Sequence, residues 1–171
     1  RQVQKQINVK EPVFLYVGRL AVEKNIEAFL SLDLPGQKWV AGIGTLELKL
    51  LHKYPSVRFI GVLNQDRLAE LYSQADVLVY PSTMDTFGLV MLEAMACGKP
   101  VVCTQLNNGV NVVNQAGVTG LAVPVRDANA LAGALNTLLN DDALRSKLGQ
   151  QAKAHAIGGY SLSAMSNSHA A

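Results

Sequence analysis

The segment Val77–Thr104, VLVYPSTMDTFGLVMLEAMACGKPVVCT, decides the fold. Asp76–Tyr80 reads as an apolar strand running into a polar turn. After Gly88 comes an apolar, helix-forming run, Leu89–Cys97, closed by Gly98 and Pro100. Val101–Thr104 is a second apolar strand. Strand, helix, strand in this order is the unit of a parallel sheet.

The same alternation extends both ways. Val13–Val17, Lys38–Ala41 and Val57–Ile60 read as strands upstream, and Leu121–Val125 as one downstream. Helical spacing is found over Glu23–Leu32, Leu46–His52 and Gln65–Ser73, and Val110–Gln115 reads as a short helix. Asp127 is placed to N-cap a helix running to about Leu139, and Asp141 begins another ending near Ala156. The strands are apolar without clean alternation, which marks a sheet buried on both faces. The expected class is therefore α/β, a Rossmann-like doubly wound domain with a six-stranded parallel sheet. Residues 1–157 form this domain, and residues 158–171, rich in Ser, Gly, Ala and Asn, read as a loosely ordered tail.

Composition narrows the function. The chain has 171 residues, 49 % of them apolar, enough for a real core and too many for a disordered chain. Net charge is +2, so nothing draws it generally to nucleic acid or a membrane. Charged residues are only 16 %, which hints at surface meant to be covered. Cys97 and Cys103 do not have metal-site spacing, and a reduced pair is the default. His52, His155 and His169 fall in no motif. The opening RQVQKQINVK is not a signal peptide and reads as a cut through a longer chain, and no apolar run is long enough for a membrane span.

Ligands of doubly wound sheets bind beyond the carboxyl ends of the strands. Those ends carry Gly18–Arg19, Gly42–Gly44, Gly61–Val62 and Pro81–Gly88. Arg19 offers a planar fork and Lys24 a point charge, a pair suited to a diphosphate, although Lys24 could simply pair with Glu23 or Glu27. Gly42-Ile43-Gly44 is half of a phosphate-cradling pattern. The third glycine of a dinucleotide fingerprint is replaced by Leu48, which argues against a nicotinamide cofactor. Backbone N–H groups after Gly88 could hold an anion, or Asp85 or Thr86 could cap that helix. Glu93 is the one acid on an otherwise apolar helix, and a carboxylate is expensive to bury there unless something binds it. It could also face solvent or pair with Arg19 or Lys24. Eight residues separate Asp85 from Glu93, roughly 12 Å of rise if all were helical, so two acids could grip two parts of one elongated polar ligand.

Together these motifs resemble retaining GT-B glycosyltransferases of family 4 (glycosyl transferases group 1). PSTMDTFGLVMLEAMACGKPVV is similar to that family's signature of an acid, seven residues and a Glu, with Asp85 where Glu is commoner. VGRLAVEKN resembles its Gly-Arg…Lys segment, and AGVTGLAVPVRDANALAGAL its closing segment. Val57–Gly61 resembles the strand before the nucleobase pocket. The likeness covers about Val13–Ala156. Two loops depart from the pattern. The usual Gly-Asp-Gly-Pro reads Gly42-Ile43-Gly44-Thr45, and the usual Gly-Gly before a Glu reads Asn108-Gly109-Val110-Asn111.

The resemblance implies the C-terminal, donor-binding domain of an enzyme that moves a hexose from a UDP-, GDP- or ADP-linked sugar with retention. It implies Arg19, Lys24, Asp85 and Glu93 as the catalytic set, and neither Asp85 nor Glu93 needs to be a general acid or base. Arg19 and Lys24 would neutralise the diphosphate, Glu93 would take the ribose hydroxyls, and Asp85 the transferred sugar. Gly18, Thr86, Phe87, Gly88 and Leu89 would touch phosphate or sugar, and Val62 and Leu63 would line the base pocket. No metal or other cofactor is implied. The expected partners are the nucleotide sugar and an N-terminal domain in cis or in trans, with no nucleic acid. The family-level location is cytoplasmic, with peripheral membrane association of a full-length enzyme. Without its N-terminal half the chain is expected to be inactive. A non-catalytic or degenerate nucleotide-sugar binding module is the competing reading, and a GT-B-like sugar-nucleotide epimerase a third.

Overall fold

The computed structural model describes residues 11–85 and 87–160. Six strands form one sheet: β1 (Val13–Val17), β2 (Gln37–Ala41), β3 (Arg58–Gly61), β4 (Val77–Tyr80), β5 (Val101–Thr104) and β6 (Gly120–Val123). Their order is β3-β2-β1-β4-β5-β6, and every pairing is parallel. Among the described residues seven α-helices connect or follow them: α1 (Ile26–Leu30), α2 (Glu47–Lys53), α3 (Gln65–Gln74), α4 (Leu89–Ala96), α5 (Gly109–Val113), α6 (Ala128–Asn140) and α7 (Asp142–Tyr160). This is the doubly wound α/β domain that the apolar strands imply.

The strands lack polar alternation because helices cover both faces of the sheet. On one face Leu15, Leu78, Val101 and Cys103 pack with Tyr72 of α3, Met91 and Met95 of α4, Val113 of α5 and Ala152 of α7. On the other, Phe14, Val40, Val79 and Val102 pack with Phe29 of α1, Leu50 of α2 and Leu135 of α6. Asp127 caps α6 as expected, its carboxylate accepting the Ala130 N–H at 2.9 Å.

Most boundaries shift by one or two residues, and larger differences from the sequence reading fall at two places. Glu23–Leu32 is not one helix. Val22–Lys24 forms a 3-10 turn, and Asn25 at φ 55° separates it from α1. The Asn25 amide NH2 donates to the Pro81 carbonyl at 3.3 Å, so a tertiary contact supports the break. At the other end α7 continues to Tyr160, which places residues 158–160 in a helix and not in a tail. Residues 161–171 and the opening RQVQKQINVK lie outside the described residues. No helix of the described residues is long and apolar enough to cross a membrane.

One surface cluster ties α1 to α2. Glu27 accepts the Tyr54 hydroxyl at 2.7 Å and Lys53 Nζ at 2.8 Å, with Lys49 Nζ at 3.4 Å from its other oxygen. The hydrogen bond from Lys53, then that from Tyr54, holds its carboxyl at about 2 against an ordinary 4.5. A depressed folded-state value contributes stability above the unfolded value, and that contribution is lost as pH falls through about 2. Glu27→Gln should cost about 1 kcal/mol or less at pH 7, because the cluster is partly solvated. Thermal unfolding of both proteins from pH 7 down to pH 2.5 checks this: the difference should shrink steadily below about pH 4.5.

Candidate functional site

The strand order reverses between β1 and β4. At such a switch point the following loops run in opposite directions and leave a crevice. Here a cleft of about 220 Å³ opens between them. Gly18 from the β1 loop lines it, with Lys24 from the 3-10 turn and Ser82 and Asp85 from the β4 loop. Gly88, Leu89 and Val90, where α4 begins, form another wall.

The two loops are stitched together by backbone and hydroxyl groups. The N–H and the hydroxyl of Thr83 both donate to the Glu23 carbonyl at 3.1 Å. The Thr104 hydroxyl donates to the Ser82 carbonyl. These contacts bring Lys24 across to Asp85, and Lys24 Nζ donates to both carboxylate oxygens at 3.0 Å. Both side chains are about one-fifth exposed. Burial pushes the Asp85 carboxyl up, but hydrogen bonds from Ser82, Lys24 and Tyr80 together hold it below the usual range. Lys24 therefore pairs with Asp85, and neither Glu23 nor Glu27 takes that place.

Two tyrosines that the sequence reading passed over as strand residues also line the cleft. Tyr16 donates its hydroxyl to the Arg19 carbonyl at 2.6 Å, while the Tyr80 hydroxyl bonds to Asp85. Burial raises both phenols far above their ordinary value, so they stay neutral donors. The available signal was an aromatic hydroxyl near the carboxyl end of each of two central strands.

Gly88, the residue before α4, sits at φ +81°, a left-handed conformation that glycine adopts freely, and as a glycine it offers no side-chain cap. Of the two expected capping residues, Asp85 is engaged with Lys24, and Thr86 lies outside the described residues. The first turn of a helix carries partial positive charge and N–H donors without intrahelical partners. Its first residues, Leu89 and Val90, face the cleft. Asp85, Phe87 and Gly88 are not helical, so Asp85 and Glu93 are not spaced along one continuous helix.

The other expected site residues lie outside this cleft's lining. The Arg19 side chain is 65 % exposed, and its guanidinium pairs with Glu23 at 2.9 Å. Glu93, in the second turn of α4, pairs with neither Arg19 nor Lys24. Its Oε1 accepts the Tyr72 hydroxyl at 2.7 Å. Val62 is 70 % exposed in the loop after edge strand β3, while Leu63 packs partly against the core. Phe87 is exposed two residues before α4. Among the described residues no group of three His, Cys, Asp or Glu side chains could hold a metal ion.

Both departing loops have structural explanations. The Asn108 amide NH2 donates to the Asp85 carbonyl at 2.6 Å, and its Oδ1 accepts the Val110 N–H at 2.9 Å. Asn111 Oδ1 accepts the N–H groups of Leu106 and Asn107 at 2.7 Å each. The asparagines shape the β5 loop and anchor the backbone of Asp85. Gly42 and Gly44 face the chain that leaves β1: a Cβ on Gly42 would lie 1.9 Å from the Gly18 carbonyl oxygen, and one on Gly44 2.4 Å from that of Leu20.

Fold and cleft define a doubly wound α/β domain with an anion-compatible pocket at its switch point. The profile of the family described as glycosyl transferases group 1 matches residues 40–155, and the chain belongs to that family. It is 36 % identical over 153 residues to a sulfoquinovosyl transferase of Arabidopsis thaliana, covering 84 % of this chain and 30 % of that protein. It is 35 % identical over 153 residues to a glycogen synthase of Mycobacterium tuberculosis, covering 81 % and 36 %. Among solved structures, sucrose-phosphate synthase from Thermosynechococcus elongatus superposes with a TM-score of 0.86 at 33 % identity, over 96 % of this chain and 46 % of that one. HepE from Anabaena, solved with UDP, superposes at 0.82 over 96 % and 49 %, and at 24 % identity it shows the fold alone. The chain spans less than half the length of each of these proteins.

Proposed function

We propose that this chain is the C-terminal, donor-binding domain of a retaining glycosyltransferase that moves a hexose from a nucleotide diphosphate sugar. The acceptor would be held by an N-terminal domain, in cis or in trans. The observation that carries this reading is that Lys24 and the start of α4 stand on two walls of one cleft at the switch point. Such walls suit a diphosphate, and they are strongest when charge builds on it as the sugar departs. In this reading Arg19, exposed and held by one i,i+4 partner, swings to the diphosphate at little cost. Positive charge then comes from Arg19, Lys24 and the helix start, without a metal.

Asp85 holds hydroxyls of the transferred sugar, the N–H groups of Phe87–Leu89 meet phosphate or sugar, Glu93 takes the ribose, and Val62 and Leu63 flank the base. The sugar-transferring relatives support the reaction class. The domain is assigned to the cytoplasm, with peripheral membrane association of the whole enzyme.

Calorimetric titration of the chain with UDP, GDP, ADP and their glucose conjugates tests the reading. One base should bind with a Kd of about 0.1–1 mM, because half the cleft is missing. The isolated chain should show no sugar transfer until the N-terminal domain is added. Absence of both heat and chemical-shift change with every nucleotide would overturn the proposal.

A further inference from the structure

Tyr72 lies in α3, away from the cleft, and only 2 % of it is exposed. Its ring is packed in the same core cluster as Met91, Leu92 and Met95 of α4. A buried phenol needs a partner for its hydroxyl, and this one donates to Glu93 Oε1 at 2.7 Å. Burial and then the hydrogen bond to Glu93 raise the phenol far above its ordinary value, so the proton stays on Tyr72. The donor is thus rigid and the acceptor is not: Glu93 is a half-buried side chain with three rotatable bonds on a helix surface.

We infer that Tyr72 is a positioning residue for Glu93, fixing one carboxylate oxygen so that the other presents its lone pairs to the vicinal hydroxyls of the ribose. This rests on the donor-binding reading above. A carboxylate has about four acceptor positions, so the Tyr72 bond leaves room for both hydroxyls of a ribose. Fixing the carboxylate before binding removes an ordering cost that the nucleotide would otherwise bear. The tyrosine therefore acts on affinity and on discrimination between ribose and deoxyribose, without touching the nucleotide.

The test compares UDP with 2′-deoxy-UDP by calorimetry, or the ADP or GDP pair if that base binds tighter, on the full 171-residue chain. The wild type should prefer the ribonucleotide. Tyr72→Phe should weaken the ribonucleotide about 3- to 10-fold and weaken the deoxynucleotide, which offers Glu93 only its 3′-hydroxyl, by less. Glu93→Gln should abolish the preference, and the Tyr72→Phe/Glu93→Gln double variant should match Glu93→Gln alone. A lower melting temperature for Tyr72→Phe with an intact ribose preference would make the tyrosine merely structural and overturn the inference. Additive losses in the double variant would overturn it as well. If Glu93→Gln itself keeps the preference, the ribose role of Glu93 fails and the inference with it. Should no nucleotide bind the wild type, the donor-site reading falls, and this inference falls with it.

Discussion

Gly42→Ala should lose at least about 3 kcal/mol of stability, or fail to fold, although it adds a single methyl group. Two costs combine. Gly42 is at φ +136°, which an L side chain rarely adopts, and its Cβ would lie 1.9 Å from the Gly18 carbonyl oxygen. That oxygen is backbone and cannot turn away. The crossing chain is held by the Gly18 N–H donating to the Ala41 carbonyl and the Leu20 N–H to the Ile43 carbonyl, both at 3.0 Å. Relief therefore requires breaking these bonds or moving the segment that carries Lys24. For a chain of this size the melting temperature should fall by about 6–12 °C. Ile43→Ala, at a half-exposed position between the two glycines, is the control and should change little. If the glycines instead served mainly to cradle a phosphate, Gly42→Ala would keep its melting temperature and lose only nucleotide affinity.

That contrast shows where the sequence was readable. A Gly-x-Gly after a strand is compatible with a turn, a ligand or a close crossing, and spacing alone does not choose among them. The choice depends on which backbone passes over the glycines, a fact of lateral strand order. β1 and β5 were legible residue for residue because burial on both faces leaves a continuous apolar run. The class of sheet follows from such runs, but which strand neighbours which does not. The break at Asn25 was hidden for the same reason. Nothing local forbids helix across it, and the left-handed residue is supported by a bond to Pro81, a partner 56 positions away.

The site was legible in its charges and not in its hydroxyls. Lys24 and Asp85 stood out as ionisable residues in loops, yet their pairing spans 61 residues of sequence. Tyr16, Tyr72 and Tyr80 read as apolar members of strands and of a helix stripe, which they are, since each is at least nine-tenths buried. Their function lies in the one polar atom at the end of the ring. Burial statistics and periodicity do not register that atom, whereas hydrogen-bond accounting does.

Lys24 and Asp85 should respond in opposite directions when a nucleoside diphosphate is titrated, and this is the largest effect expected on binding. An ammonium has three N–H donors. Two of them serve the Asp85 carboxylate in the unliganded domain, and the third can serve a phosphate oxygen. Lys24→Ala removes that donor and leaves Asp85 as an uncompensated negative charge in the cleft. UDP binding should fall by about 10- to 100-fold, the loss of one or two charge-assisted hydrogen bonds. UMP, which lacks the second phosphate, should be affected much less. Asp85→Asn removes the competing anion and frees Lys24, so UDP should bind as well as before or about 2- to 5-fold tighter. The gain of UDP-glucose over UDP should be lost in this variant, because the sugar's hydroxyls no longer meet a carboxylate. Stability separates the two variants again. Lys24→Ala leaves a largely buried carboxylate without its cation and should cost about 1–3 kcal/mol at pH 7. The folded-state value of Asp85 is depressed, so its contribution is complete above the unfolded value and disappears as pH falls through the folded one. The stability gap between wild type and Asp85→Asn should therefore be widest near neutrality and close in acid. Parallel loss of UDP binding in both variants would mean that Asp85 supports the diphosphate site only through the fold. An unchanged UDP affinity in Lys24→Ala would place the diphosphate outside this cleft.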